Sequence, residues 1–221
     1  MIKSRASQPE PSVAGDPSDP PEYAVGSAAD TMYNVIARTF PDARVRESPM
    51  PLAPLRKFCK LFNLQLSKLV PVFRDFEGVV PERTGAPVTA ALACYVFALD
   101  NLIYIARKRI YACLNNRGQQ KALSALLNAR GDRIPDRILV AAAAASLERK
   151  FEIEISAENV LKKFKRLSET VFGYKAAISV KLLYPSIKIV DLAEFFCTSY
   201  SHLLYKVRTY KKAARAAASG L

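Results

Sequence analysis

The sequence predicts an all-α protein of about seven helices, divided into a smaller amino-terminal lobe and a larger carboxy-terminal one. Three observations carry this reading. Apolar residues recur at three- and four-residue spacing through most of the chain after residue 26, the period of a helix with one buried face. Ala141 to Ala145 is a run of five alanines, the residue with the strongest intrinsic helix preference. Half of the 221 residues are apolar, which excludes a wholly disordered chain and suffices for one substantial core or a small pair of subdomains.

Residues 1–26 read as a flexible leader. Pro9, Pro11, Pro17, Pro20 and Pro21 are mixed there with Gly, Ser and acids, and nothing could bury an ordered element. A helix starts at Ser27, because Ser27 and Asp30 have capping-box spacing, with Asp in place of the preferred Glu. Met32, Val35, Ile36 and Phe40 follow at helical intervals, and Pro41 ends the run. A second helix is expected over 52–70, with Leu55, Phe58, Cys59, Phe62, Leu66, Leu69 and Val70 on one stripe and Pro71 as its stop. These two helices make the small lobe, 27–71. Residues 72–87, with Gly78, Gly85 and two prolines, read as a connection and hinge.

The main body is placed at 88–210. A long helix is expected from Val88 to Asn115, closed near Gly118, which can adopt the left-handed capping conformation. Residues 119–128 form a short helix and 130–133 a turn. Residues 136–150 form another helix, whose alanines allow close approach of a neighbouring backbone. Phe151 to Ile155 alternates, as a short strand or a fraying helix end would. Ser156 opens a helix with Val160, Leu161, Phe164, Leu167, Val171 and Phe172 as its core stripe, and Gly173 ends it. Residues 176–184 and 187–190 flank Pro185 and fit either a broken helix or a strand pair. A last helix, 191–210, buries Leu192, Phe195, Phe196, Leu203, Leu204 and Val207, and a basic, Ala-rich tail covers 211–221.

The formal charge is +13, with 33 basic and 20 acidic residues. Residues 1–50 sum to −2, so the remainder carries +15. The positive charge belongs to the folded part and raises the local concentration of polyanions, whether nucleic acid or acidic membrane. Cys59, Cys94, Cys113 and Cys197 are far apart in apolar surroundings, without zinc-ligand spacing, and read as buried free thiols. No apolar segment of a secretory signal follows Lys3 and Arg5, so a reducing, cytoplasmic location is expected.

Ile103-Tyr-Ile-Ala-Arg-Lys-Arg-Ile110 turns abruptly from apolar to basic. Val88 to Ala106 has the length of a membrane span, and Arg107 to Arg109 would mark its inner end. Asp100 and Asn101 make insertion costly, and no second span of that length exists, so a core helix is expected and stable transmembrane insertion is not. The three cations would then close a helix whose last turn favours positive charge.

Catalysis finds no support. The sole histidine, His202, reads as structural, and no GxSxG, GxGxxG or phosphate-loop motif occurs. No cofactor, metal ligand or catalytic residue is assigned. Nucleic-acid contacts are expected instead from Arg107, Lys108, Arg109, Arg117, Arg130, Arg133, Lys162, Lys163, Arg166, Lys211 and Lys212, with base stacking on Tyr111, Tyr174 and Tyr205. Each patch alone also suits an ordinary solvated face. Together they point to a non-enzymatic protein that coats or packages single-stranded RNA or another polyanion without sequence specificity. A self-assembling viral coat or nucleocapsid protein, in cytoplasm or virion, is the concrete version. A helical structural or adaptor protein is the alternative, and a peripheral membrane protein a third. Convergence of Arg107, Arg109, Arg130, Lys163 and Arg166 on one concavity separates the first reading from the second.

Overall fold

The structure is a computed structural model that describes residues 27–41, 48–81, 83–128 and 134–218. The leader, Arg130 and Arg133 lie outside the described residues. Eleven helices are present among the described residues, and no strand is. The all-α expectation holds, but the count of about seven and the two-lobe division are corrected.

The added helices come from breaks inside runs that look continuous. Helix α1, Ala28–Thr39, begins as expected: Ser27 Oγ accepts from Asp30 N at 2.9 Å. The second run divides into α2, Ala53–Phe62, and α3, Leu66–Val79. Asn63 takes a left-handed conformation (φ 52°) and ends α2. Pro71 stops nothing; α3 continues through it, giving up one backbone hydrogen bond while Leu69, Phe73 and Phe76 bury its inner face.

Helix α4, Ala86–Asp100, is buried on almost every side. A helix apolar all round belongs in a core or a membrane; here α1, α2, α3, α6 and α7 pack around it. No helix among the described residues is long and apolar enough to cross a membrane. Asp100, the residue that made insertion costly, accepts from Ala28 N at 2.6 Å and Ala29 N at 3.0 Å, so it caps α1 from the far end of α4.

The expected long helix 88–115 stops at Asp100. Leu102 is left-handed (φ 55°), and helix α5, Arg107–Ala112, starts afresh. Helix α7, Asp136–Phe151, holds this break in place. Tyr104 N donates to Ser146 Oγ at 2.8 Å, Ser146 Oγ donates to Leu102 O at 3.3 Å, and Arg149 donates to the same carbonyl. Gly118 is no cap either: it lies inside helix α6, Arg117–Leu127, which Asn116 caps by accepting from Gln119 N at 2.9 Å.

Beyond α7, the left-handed Glu152 (φ 53°) ends the helix without a strand. Helix α8, Ala157–Lys165, is capped by Ser156 but ends eight residues before Gly173. Gly173 sits instead within helix α9, Phe172–Leu183, where a Cβ would come within 3.1 Å of Thr198. Helix α10, Ile189–Phe195, and helix α11, Tyr200–Ala218, are separated by the left-handed Cys197 (φ 51°). Lys211 and Lys212 thus stand on a helix.

Buried residues fall in two groups that share α7 rather than two lobes with a hinge. Leu139 and Ala142 belong to the group around α4, while Val140, Ala143, Ala144 and Leu147 belong to the group formed with α8 to α11. Tyr104 and Phe172 pack against both. The alanine run explains this, since small side chains let α7 be covered on two sides. Residues 72–87 form no hinge, because α3 packs on α4 within one core.

Candidate nucleic-acid interface

Where the two buried groups meet, the surface is indented by a cleft of about 710 Å³. The start of α5, the loop between α8 and α9, the start of α9 and the turn before α11 supply its walls. Its position follows from the break after α4. The break resets the direction of α5, and successive basic residues leave that short helix roughly 100° apart. Arg107 turns inward: its guanidinium lies 5.8 Å from the Tyr95 ring centroid and its Nε donates to the Tyr95 hydroxyl at 3.3 Å. Lys108 Nζ donates to Cys197 O at 3.2 Å. Arg109 stands exposed on another face, where it and Lys57 oppose the effect of burial on the Cys113 thiol, whose pKa is nevertheless raised. The expectation that these cations close a long helix is therefore reversed.

Two carboxylates line the cleft, Asp136 and Glu169. Glu169 is already engaged. Its Oε2 lies 3.0 Å from Lys206 Nζ, and its Oε1 accepts from Thr170 N at 3.2 Å. The Lys206 ammonium holds its carboxyl below the usual carboxylate range, against the opposing effect of burial. Ser168 and Tyr210 share a hydrogen bond of 2.8 Å, so the loop that walls the cleft is tied twice to α11. Lys175, one residue beyond Tyr174, also lines the cleft, with its ammonium 4.6 Å from the Phe164 ring centroid. Among the described residues the ion pairs are Arg74–Glu77 and Lys206–Glu169, so Arg107, Lys108 and Lys175 have no carboxylate partner there.

Of the residues singled out by sequence, Arg107, Lys108 and Tyr174 line this cleft. Tyr174 is half-buried, with its hydroxyl accepting from Ser199 N at 3.1 Å and its ring 4.7 Å from that of the exposed His202. Lys162 and Arg166 are exposed and Lys163 half-buried; none lines the cleft, although Phe164 and Leu167 do. Lys211 and Lys212 are exposed and directly follow Tyr210 of the Ser168–Tyr210 tie, and Tyr205 is 64% exposed on the same helix. Arg117 is exposed at the start of α6, and Tyr111 is half-buried against the α4 core. The five diagnostic residues do not all converge: Arg107 alone of the described four enters the concavity.

Sequence reasoning missed Lys175, Glu169 and Thr198. Gly173, read as a helix end, was the available signal: its lack of a side chain brings α9 against Phe196 and Thr198, which closes one wall of the cleft. No group of three or more His, Cys, Asp or Glu able to hold a metal ion occurs among the described residues. Cys59 and Cys94 are buried free thiols, and burial pushes both above their ordinary pKa; Cys113 and Cys197 are partly exposed. No protein family, curated protein or solved structure matches the chain.

Proposed function

We propose that this protein is a non-enzymatic, sequence-independent binder of single-stranded RNA or a similar polyanion, acting as a coat or packaging protein. The observation that carries the reading is the cleft lined by three cations, Arg107, Lys108 and Lys175, that form no ion pair among the described residues. It is bordered by α8, whose Phe164 walls the cleft while Lys162 and the capping Arg166 stay in solvent. The Glu169–Lys206 and Ser168–Tyr210 ties attach α11 to the same wall, with Lys211 and Lys212 beyond. A phosphate strand would neutralise several of these groups and release condensed counterions, which gives affinity without reading bases. A self-associating viral coat or nucleocapsid protein, in cytoplasm or virion, is the concrete form of this proposal.

The test is fluorescence anisotropy with labelled single-stranded RNA over a salt series. Affinity falls steeply as salt rises, and K163Q/R166Q lowers both the affinity and the slope, by about 0.7 per lost phosphate contact. Affinity that stays constant from low to moderate salt overturns the electrostatic account. Mass measurement with and without RNA tests self-assembly.

A second reading, a helical adaptor for protein partners, is favoured by the dispersal of Arg109, Lys163 and Arg166 away from the cleft, the arrangement expected of it rather than of the first. Exposed Val190, Tyr200 and Tyr205 on α10 and α11 favour it too. Under that reading RNA is not retained even at low salt.

A further inference from the structure

Most of the basic groups here stand on open surface, where they attract any polyanion alike. Arg107 is different. It is half-buried, its hydrogen bond to Tyr95 is long at 3.3 Å, and no carboxylate pairs with it among the described residues. Burial raises the pKa of the Tyr95 and Tyr104 hydroxyls, so neither supplies a phenolate counter-charge at neutral pH. A half-buried guanidinium without a counter-ion is costly, and its planar fork matches phosphate oxygens two at a time. Lys108 and Lys175 add two further cations to the same lining.

The remaining lining includes the carboxylates Asp136 and Glu169, the latter paired with Lys206, and is otherwise largely aromatic, aliphatic and hydroxylic. The Phe164 and Phe172 rings lie 5.4 Å apart, Phe172 and Tyr104 6.0 Å apart, and all three line the cleft. Ser168 and Thr170 bring hydroxyls, and Thr198, whose buried Oγ1 has no hydrogen-bond partner among the described residues, lines the same space. The volume of 710 Å³ falls within the roughly 300–1,000 Å³ typical of sites for small organic ligands. Inorganic phosphate would leave that volume and the aromatic wall unused. An acyl chain would leave the Thr198 hydroxyl without a partner and the cations without a counter-charge. A nucleotide satisfies both kinds of lining, with an anionic phosphate, a hydroxyl-bearing sugar and a flat base that packs on aromatic rings.

We propose that the cleft is a single-nucleotide site, holding the phosphate on Arg107 and Lys175 and the base against the Tyr104, Phe164 and Phe172 wall. The proposal rests on the polyanion reading for its ligand class and deepens it: one nucleotide of a bound strand enters the cleft while its neighbours lie along open basic surface.

Calorimetric titration of the full chain at low salt tests it, with adenosine and uridine 5′-monophosphates, inorganic phosphate and adenosine as separate probes, beside single-stranded RNA. Both monophosphates bind at one site per chain, about tenfold or more tighter than phosphate or nucleoside. R107Q weakens monophosphate binding about tenfold or more while its melting temperature confirms folding, and K175Q, at a half-exposed position, serves where R107Q does not fold. Monophosphates no tighter than phosphate overturn the proposal, as does wild-type affinity in whichever variant folds. RNA retention without monophosphate binding leaves the coating reading standing and overturns the cleft site. Monophosphate binding without RNA retention does the reverse.

Discussion

Glu169 is the residue on which the shape of the cleft most depends, because it joins the α8–α9 loop to α11 through Lys206 and also accepts a backbone N–H of that loop. Its carboxyl titrates below the ordinary carboxylate value, Lys206 being the main cause. A group whose folded pKa is depressed adds stability that is complete above its unfolded pKa, about 4.3 for Glu, and is lost as pH falls through the folded value. The wild-type melting temperature therefore drops below about pH 4.5, and E169Q removes that part of the decline. Thermal melts from pH 7 to pH 3 check this; parallel curves for the two proteins would show that the ion pair contributes nothing. Little of this was legible in sequence. Glu169 and Lys206 are 37 positions apart, and only the return of α11 past the α8–α9 loop brings them together. Ser27 shows the opposite case, since a cap and its acceptor distance are set within four residues.

At the scale of the element, the sequence told where apolar stripes lie better than where helices stop. Local caps at Ser27 and Ser156 and the alanine run of α7 were readable because their causes are local. The missed breaks at Asn63, Leu102 and Cys197 are left-handed turns at residues other than glycine, which a glycine-seeking reading passes over. Such a conformation costs free energy in a leucine or cysteine and persists because tertiary contacts hold it. At Leu102 those contacts come from Ser146 and Arg149, more than forty positions away. Ser146→Ala is therefore expected to cost about 1–3 kcal/mol, since it leaves the Tyr104 N–H without its acceptor beside the core. Urea denaturation measures the loss, and the variant also weakens any ligand held by Arg107, whose helix starts three residues after Tyr104. An unchanged denaturation midpoint would mean that the break after α4 holds itself.

On the scale of the whole molecule, the division expected at residues 72–87 and the one the structure contains make opposite predictions about unfolding. A hinge there would leave 27–71 and 88–210 as separately stable bodies. Instead α7 contributes buried side chains to both groups, and Tyr104 and Phe172 pack on each, so opening either group removes packing contacts from the other. That arrangement was invisible in sequence, because a helix covered on two sides by alanine carries no strong stripe to show which neighbours it serves. The same distance between stripe and packing explains why charge totals were readable while convergence was not. The direction of Arg107 depends on the break before it, and its neighbour Arg109 leaves on a different face. Leu55→Ala in the group around α4 and Leu203→Ala in the group around α8 to α11 each remove a fully buried side chain, at about 2–5 kcal/mol. If α7 couples the two groups, both variants shift one shared unfolding transition, and the circular-dichroism and tyrosine-fluorescence curves of each variant coincide. Two transitions, with each substitution moving a different one, would restore independent bodies and make the cleft between them a junction that opens separately from either core.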